Sequence, residues 1–302
     1  MGGMRTRRLL AAAVALAAAL ATSACTAQPR PVASPEPSTT STASPSAPGR
    51  PLVVATLGDS LTRGFDACSH YGDCPSVSWA GGTDPRVDSV AARLEGRTDH
   101  PVQVHDLARS GAPVADLDRQ VQGAVAVRPD LVTVLIGAND VCQGRVGSMT
   151  PVADYAAAVE RAVAAITERT SAVVLLASAP DPTVLLDAGA GDPTARFLWS
   201  HGEICPAALA DPRSTAPTAV DRRAAVSARI AAYDASLAAV CARFPRCTTD
   251  GGALRAYRPS LQQLSALDAF HPSVSGQREL ARLEWAALSA SPIAEELLGA
   301  SR

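Results

Sequence analysis

A three-layer α/β fold, with a flavodoxin-like parallel sheet between helices, is the architecture this sequence predicts. Three observations predict it. From residue 51 onward short apolar runs alternate with amphipathic stretches. The runs are continuous in Val, Leu and Ile rather than alternating with polar residues, as strands covered on both faces are. Aromatic residues make up only 4% of the 302-residue chain, while 47% is hydrophobic and alanine is abundant. The core must therefore come from Val, Leu, Ile and Ala on a sheet with helices against it.

The elements follow in order. Residues 52–57 read as a buried strand that ends at Gly58, with a short helix expected after Ser60. Further strands are expected at 102–107, 131–136 and 172–177, separated by amphipathic helices at 86–94, 114–125 and 151–169. Strands joined through helices imply right-handed crossovers and a parallel sheet. Residues 181–217 read as a long irregular stretch rich in Pro, Gly and Asp, of the kind that is functional or pinned. Residues 221–242 read as a long Ala-rich helix and 274–290 as the closing one. There is no internal repeat.

The N-terminus reads as a targeting segment. Arg5, Arg7 and Arg8 precede an apolar run over 9–21 that is short for a membrane span and has the length of a signal h-region. It ends at Ala21-Thr22-Ser23-Ala24-Cys25, which resembles a bacterial lipobox with Thr22 where that motif prefers Leu. Residues 1–25 are thus a signal segment with Cys25 as a lipidation site, plain signal cleavage being the other reading. Residues 26–50 are rich in Pro, Ser, Thr and Ala and cannot bury enough surface to fold, so they read as a disordered linker. Residues 51–302 are then one large domain. A net charge of -2 argues against a nucleic-acid partner. The expected contact with a membrane is through the signal or a lipid anchor alone, and the expected state is a monomer.

Setting Cys25 aside, six cysteines remain, an even count that in an exported protein reads as a disulfide framework with 15 possible connectivities. Short-range closure favours Cys68 with Cys74 and Cys241 with Cys247, which leaves Cys142 with Cys205. A bridge from Cys142 to Cys205 would pin the 181–217 stretch beside the end of the third strand. A metal site would need clustered ligands such as a Cys-x-x-Cys pair, and the sequence has none.

Four short words carry chemistry: Gly58-Asp59-Ser60-Leu61, Ser110-Gly111, Gly137-Ala138-Asn139-Asp140, and Asp268 three residues ahead of His271-Pro272. The first three each follow a predicted strand, and ligands of open parallel sheets bind outside the carboxyl ends of strands. A serine hydroxyl needs a base to become a nucleophile. His271, kept out of helical conformation by Pro272, is the best placed of five histidines, since His70, His100, His105 and His201 lack a comparable setting. Asp268 can reach its Nδ1 and leave Nε2 toward Ser60. Glycine at 111 lets a backbone N–H approach an oxyanion, and the Asn139 amide can donate to the same charge. Each word alone has a plainer reading. Ser60 serves equally as a helix cap, Gly111 and Asn139 as turn residues, and Asp268 with His271 as a solvated loop pair. The Gly-x-Ser-x-Gly elbow of α/β-hydrolases is absent, because Thr62 holds the last position.

Together these words resemble the four signature blocks of the SGNH (GDSL) hydrolase family over residues 57–272, with Asp106 standing where the second block often begins with Asn. The resemblance implies the SGNH hydrolase fold. It implies Ser60 as nucleophile, His271 as base, Asp268 as acid, and an oxyanion hole made by the N–H groups of Ser60 and Gly111 and the amide of Asn139. The six cysteines are similar to those of secreted bacterial lipases and esterases of this family with three disulfides. The implied protein is an exported serine carboxylester hydrolase, a lipase or esterase, acting through an acyl-enzyme on Ser60 without metal or organic cofactor. It would be extracellular or lipid-anchored on the outer face of the bacterial cell membrane. Its substrate would be a small-molecule, lipid or glycan ester, chosen by loops around Phe65, Trp79 and 181–217. The alternatives are a carbohydrate O-acetyl esterase, an acyltransferase or thioesterase of the same fold, and a non-catalytic surface-binding domain. None of Ser60, Asn139 and His271 is missing, which speaks against the last.

Overall fold

The computed structural model describes residues 50–98 and 100–299. The expected signal segment 1–25, its Cys25, and the linker 26–50 apart from Arg50 lie outside the described residues. Five strands form one parallel sheet: β1 (Leu52–Gly58), β2 (Val102–Asp106), β3 (Leu131–Leu135), β4 (Val173–Ala177) and β5 (Cys247–Thr249). Their spatial order is β2-β1-β3-β4-β5, the flavodoxin-like order.

Alternate residues of the central strands face opposite layers. Ala55, Leu57, Val132 and Val134 join one apolar cluster with residues of α2 (Leu117–Val127), α4 (Val152–Arg169) and α8 (Pro217–Cys241). Val54, Leu131, Leu135 and Leu175 join another with α1 (Val90–Thr98), α10 (Val274–Ala290) and α11 (Ala294–Leu298). Burial on both faces accounts for the unbroken apolar runs. Within α8, Val226, Ile230, Tyr233 and Leu237 repeat at helical spacing and form its buried stripe.

The structure corrects several boundaries. The first helix begins at Val90 rather than 86, because Asp88 has φ 53° and interrupts the turn before the Ser89 hydroxyl caps it by accepting the Ala92 N–H. Residues 114–116 form a separate 3₁₀ turn ahead of α2. The stretch 181–217, expected to be irregular, contains α5 (Leu185–Gly189), α6 (Pro193–His201) and α7 (Pro206–Leu209). Asp192 caps α6 through the Ala195 N–H, and prolines open α6 and α7 where a missing N–H is harmless. Instead of a helix after Ser60 there are consecutive turns, broken by Gly64 at φ 60° and Asp66 at φ 54°. The remaining helices are α3 (Ala138–Val141) and α9 (Ala253–Ala256). Trp79, expected to shape the substrate site, is fully buried in the cluster under α1 and α10. It is a core residue.

Candidate active site

The Ser60 turn begins where β1 can no longer carry a side chain. Gly58 pairs with Leu135 across the sheet, has φ 138°, and a Cβ there would come within 2.1 Å of the Leu135 carbonyl. Gln120 of α2 holds this glycine from both sides: its Nε2 donates to the Gly58 carbonyl at 2.9 Å and its Oε1 accepts the Gly58 N–H at 2.8 Å. The chain then turns sharply, with Thr62 and Arg63 N–H groups donating to the Asp59 carbonyl. Gln277 of α10, wholly buried, donates to the Leu61 carbonyl at 3.0 Å and so ties the turn to the closing helix.

Ser60 and His271 are 211 positions apart and meet across the end of the sheet. The Ser60 hydroxyl lies 2.9 Å from His271 Nε2, and His271 Nδ1 lies 2.5 Å from Asp268 Oδ2. The other oxygen of Asp268 accepts the N–H groups of Phe270 and His271 at 2.8 and 3.0 Å, which fixes the carboxylate. Phe65 and Phe270 flank the imidazole, with ring centroids 4.9 and 5.0 Å away. Ser60 is 8% exposed and lines a cleft of about 640 Å³ together with Gly111, Asn139 and His271.

Gly111 has φ 81°, and a Cβ would meet open space there, so its conformation and not crowding selects glycine. Among the described residues, no hydrogen bond takes up the N–H of Ser60 or of Gly111. One amide hydrogen of Asn139 goes to the Ala112 carbonyl at 3.1 Å, which leaves its second for the cleft. Asp140 braces the arrangement by accepting the Val114 N–H and the Thr150 hydroxyl. Its burial pushes the carboxyl above the ordinary range while those two bonds pull it back.

Asp106 has a local reason to be an acid. It accepts Arg63 Nη1 at 2.7 Å, Arg63 Nε bonds Asp73 at 2.9 Å, and Asp73 accepts the Ser110 hydroxyl. This chain fastens the Gly111 turn to the Ser60 turn. Sequence reading missed Gln120, Gln277 and Asp73, since each acts through contacts that no spacing announces. Asp59 is fully buried with Oδ1 accepting the Leu61 N–H and Oδ2 unpaired; burial, against that bond and His271, pushes it up to about 7.

The three disulfides present join Cys68 to Cys74, Cys142 to Cys205 and Cys241 to Cys247. The second places Cys205, at the start of α7, in the cleft wall beside Cys142. Tyr71 on the Cys68 loop and Phe197 on α6 stand at the cleft 74% and 59% exposed, and Phe197 stacks on the exposed His201. His70, His100 and His105 take no part in the cleft lining. Behind Ala138 and Phe270, which border the cleft, lies an apolar cavity of about 50 Å³ that Leu61, Val184, Leu185 and Leu280 also line.

A family model described as the GDSL-like lipase/acylhydrolase family matches residues 56–279. Among solved structures, the chain is similar to a lipase/acylhydrolase from Enterococcus faecalis at 20% identity and TM-score 0.49, over 82% of this chain and 96% of that one. It is also similar to an extracellular lipase from Streptomyces rimosus at 20% identity and TM-score 0.49, over 78% and 99%. No curated protein matches the chain.

Proposed function

The chain belongs to the GDSL-like lipase/acylhydrolase family and is a carboxylic ester hydrolase, and from that premise we propose an exported serine esterase that works through an acyl-enzyme on Ser60. The observation that carries the assignment is the continuous contact from Ser60 Oγ to His271 Nε2 and from His271 Nδ1 to Asp268. In this reading Ser60 Oγ attacks the ester carbonyl carbon as His271 Nε2 takes its proton, and Asp268 holds the imidazole and stabilises its positive charge. The N–H groups of Ser60 and Gly111 and the Asn139 amide receive the oxyanion. His271 returns the proton to the leaving alcohol, and an Oγ–acyl bond remains. Water, deprotonated by His271, then releases the acid and restores Ser60; an alcohol acceptor in its place would give acyl transfer.

The supports for export are the basic and apolar start of the chain, Cys25 as a lipid anchor, the linker 26–50, and three disulfides of the kind oxidising compartments preserve. The domain 51–302 would work as a monomer at the end of that linker. A second reading, an O-acyl esterase acting on carbohydrate, draws support from the cleft. It is wide, aromatic at Tyr71 and Phe197, and shares Asp66, Leu198 and Leu267 with a neighbouring groove of about 910 Å³. The 50 Å³ cavity would admit roughly three or four heavy atoms, which suits a short acyl group.

Ser60→Ala tests the assignment. Hydrolysis of p-nitrophenyl acetate should fall by roughly 10⁵-fold or more, and labelling by a serine-reactive phosphonate should cease. Retained labelling refutes Ser60 as nucleophile. The same wild-type preparation, offered acetylated oligosaccharide and p-nitrophenyl decanoate, should favour the sugar ester; a preference for decanoate overturns the second reading alone.

A further inference from the structure

The mechanism leaves Asp66, a buried acid beside the triad, unused. Asp66 is 3% exposed and holds φ 54°, a left-handed backbone that aspartate tolerates better than most residues. It grips Gly72 in both directions: its N–H donates to the Gly72 carbonyl at 2.9 Å, and its Oδ1 accepts the Gly72 N–H at 2.7 Å. Its carbonyl accepts the Ser265 hydroxyl at 2.6 Å, while the Ser265 N–H donates to the His271 carbonyl at 2.7 Å. One serine thus ties the backbone of Asp66 to that of the histidine. The side chain faces the same way, since an oxygen from each of Asp66 and Asp268 and a ring nitrogen of His271 all lie within 4.8 Å of one another.

We propose that Asp66 is a positioning residue of the ester-cleaving site, its carboxylate setting a second negative charge beside the Asp268–His271 pair and steadying the imidazolium formed as Ser60 attacks. The inference rests on the reading of His271 as base. The titratable groups that face the imidazole are Asp268 from its own loop, and Asp59 and Asp66 from the Ser60 turn, with His201 on the same cleft. Burial first, and then the Asp268 carboxylate, lift the Asp66 carboxyl above the ordinary range, while the Gly72 N–H and His271 pull it back. Acidification therefore protonates this carboxyl sooner than an ordinary aspartate.

Asp66→Asn removes the charge, still accepts the Gly72 N–H, and suits a left-handed backbone. With p-nitrophenyl acetate, KM should be unchanged and plateau kcat should fall about threefold. The acid limb of kcat/KM should move to lower pH by about half a unit, because one negative charge no longer favours the imidazolium. A role confined to folding would alter the melting midpoint and leave that limb in place. Asp66→Gly, at ease with the same φ, repeats the measurement should the Asn variant not fold. An unmoved limb in a folded variant overturns the proposal. Undiminished hydrolysis by His271→Ala would overturn the base assignment instead, whatever Asp66→Asn does.

Discussion

Two pairs of acids in this molecule are built alike and surrounded differently. At the cleft, Asp268 accepts two backbone N–H groups and the imidazole, with Asp66 beside it. Behind β5, Asp250 accepts the N–H groups of Ser178, Gly252 and Leu254 and the Ser178 hydroxyl, with Glu284 beside it. Glu284 is wholly buried, and neither of its oxygens meets the geometry of a hydrogen bond. Burial, then Asp250, raise its carboxyl well above the ordinary range. In each pair one acid is saturated by donors, and it is the neighbour whose carboxyl is raised above the ordinary range. Only the first pair has an imidazole and an open cleft. A perturbed carboxyl is therefore no sign of catalysis until a reacting group can reach it.

Isosteric neutralisation at each pair separates the two roles, and the largest effect belongs to Asp268. Asp268→Asn keeps the shape but offers the imidazole a donor where it needs an acceptor, so the ring loses the tautomer that faces Nε2 toward Ser60. Turnover of p-nitrophenyl acetate should fall about 10³–10⁴-fold with the melting midpoint nearly unchanged. A loss of less than tenfold would break the comparison, since the cleft pair would then be as structural as the other.

The same contrast explains what the sequence let a reader see. The four long apolar runs became β1 to β4 because a strand covered on both faces writes its burial into consecutive residues. β5 escaped notice: Cys247–Thr249 is a three-residue edge strand, set by pairing with β4 and by the bridge from Cys247 back to Cys241. Helices α5 to α7 hid among Pro, Gly and Asp because caps and proline starts, and not a long apolar stripe, define them. Ser60, Gly111, Asn139, Asp268 and His271 were legible because each sits in a local word. Asp66, Ser265, Gln120 and Glu284 were not, because their partners lie in distant segments and their chemistry exists only once the chain has folded.

At the second pair the expected effect is on stability alone. Glu284 has its folded pKa raised above the ordinary 4.5, so the folded protein takes up a proton that the unfolded chain releases above that value. Its contribution is fully present below 4.5 and is lost as pH rises toward the folded value. Glu284→Gln removes this titration while the side chain keeps its size. The variant should gain on the wild type from pH 5 to 8, by a few degrees at the upper end, as ~1 kcal/mol moves the midpoint about 2–4 °C in a domain of this size. Turnover should not change. A thermal midpoint that falls in parallel for both proteins across that range would remove the proton from Glu284.

Asp59 lies between the two cases and shows where the division runs. It precedes Ser60 and feels the charge of His271, yet it is buried like Glu284, with one oxygen on the Leu61 N–H and the other unpaired. Burial moves it from 3.8 to about 7, so its stabilising contribution is complete below 3.8 and fades as pH rises through 7. Asp59→Asn can still accept the Leu61 N–H, so the turn survives and only the titration is lost. Its advantage in melting midpoint over the wild type should grow between pH 4 and 8, by less than that of Glu284→Gln, because His271 already favours the charged form of Asp59. Turnover should change less than about threefold, the size of one screened unit charge, because Asp59 touches neither the hydroxyl nor the imidazole. A fall as deep as that of Asp268→Asn would place Asp59 with the cleft pair, and proximity in sequence to Ser60 would then matter more than the surroundings each acid meets after folding.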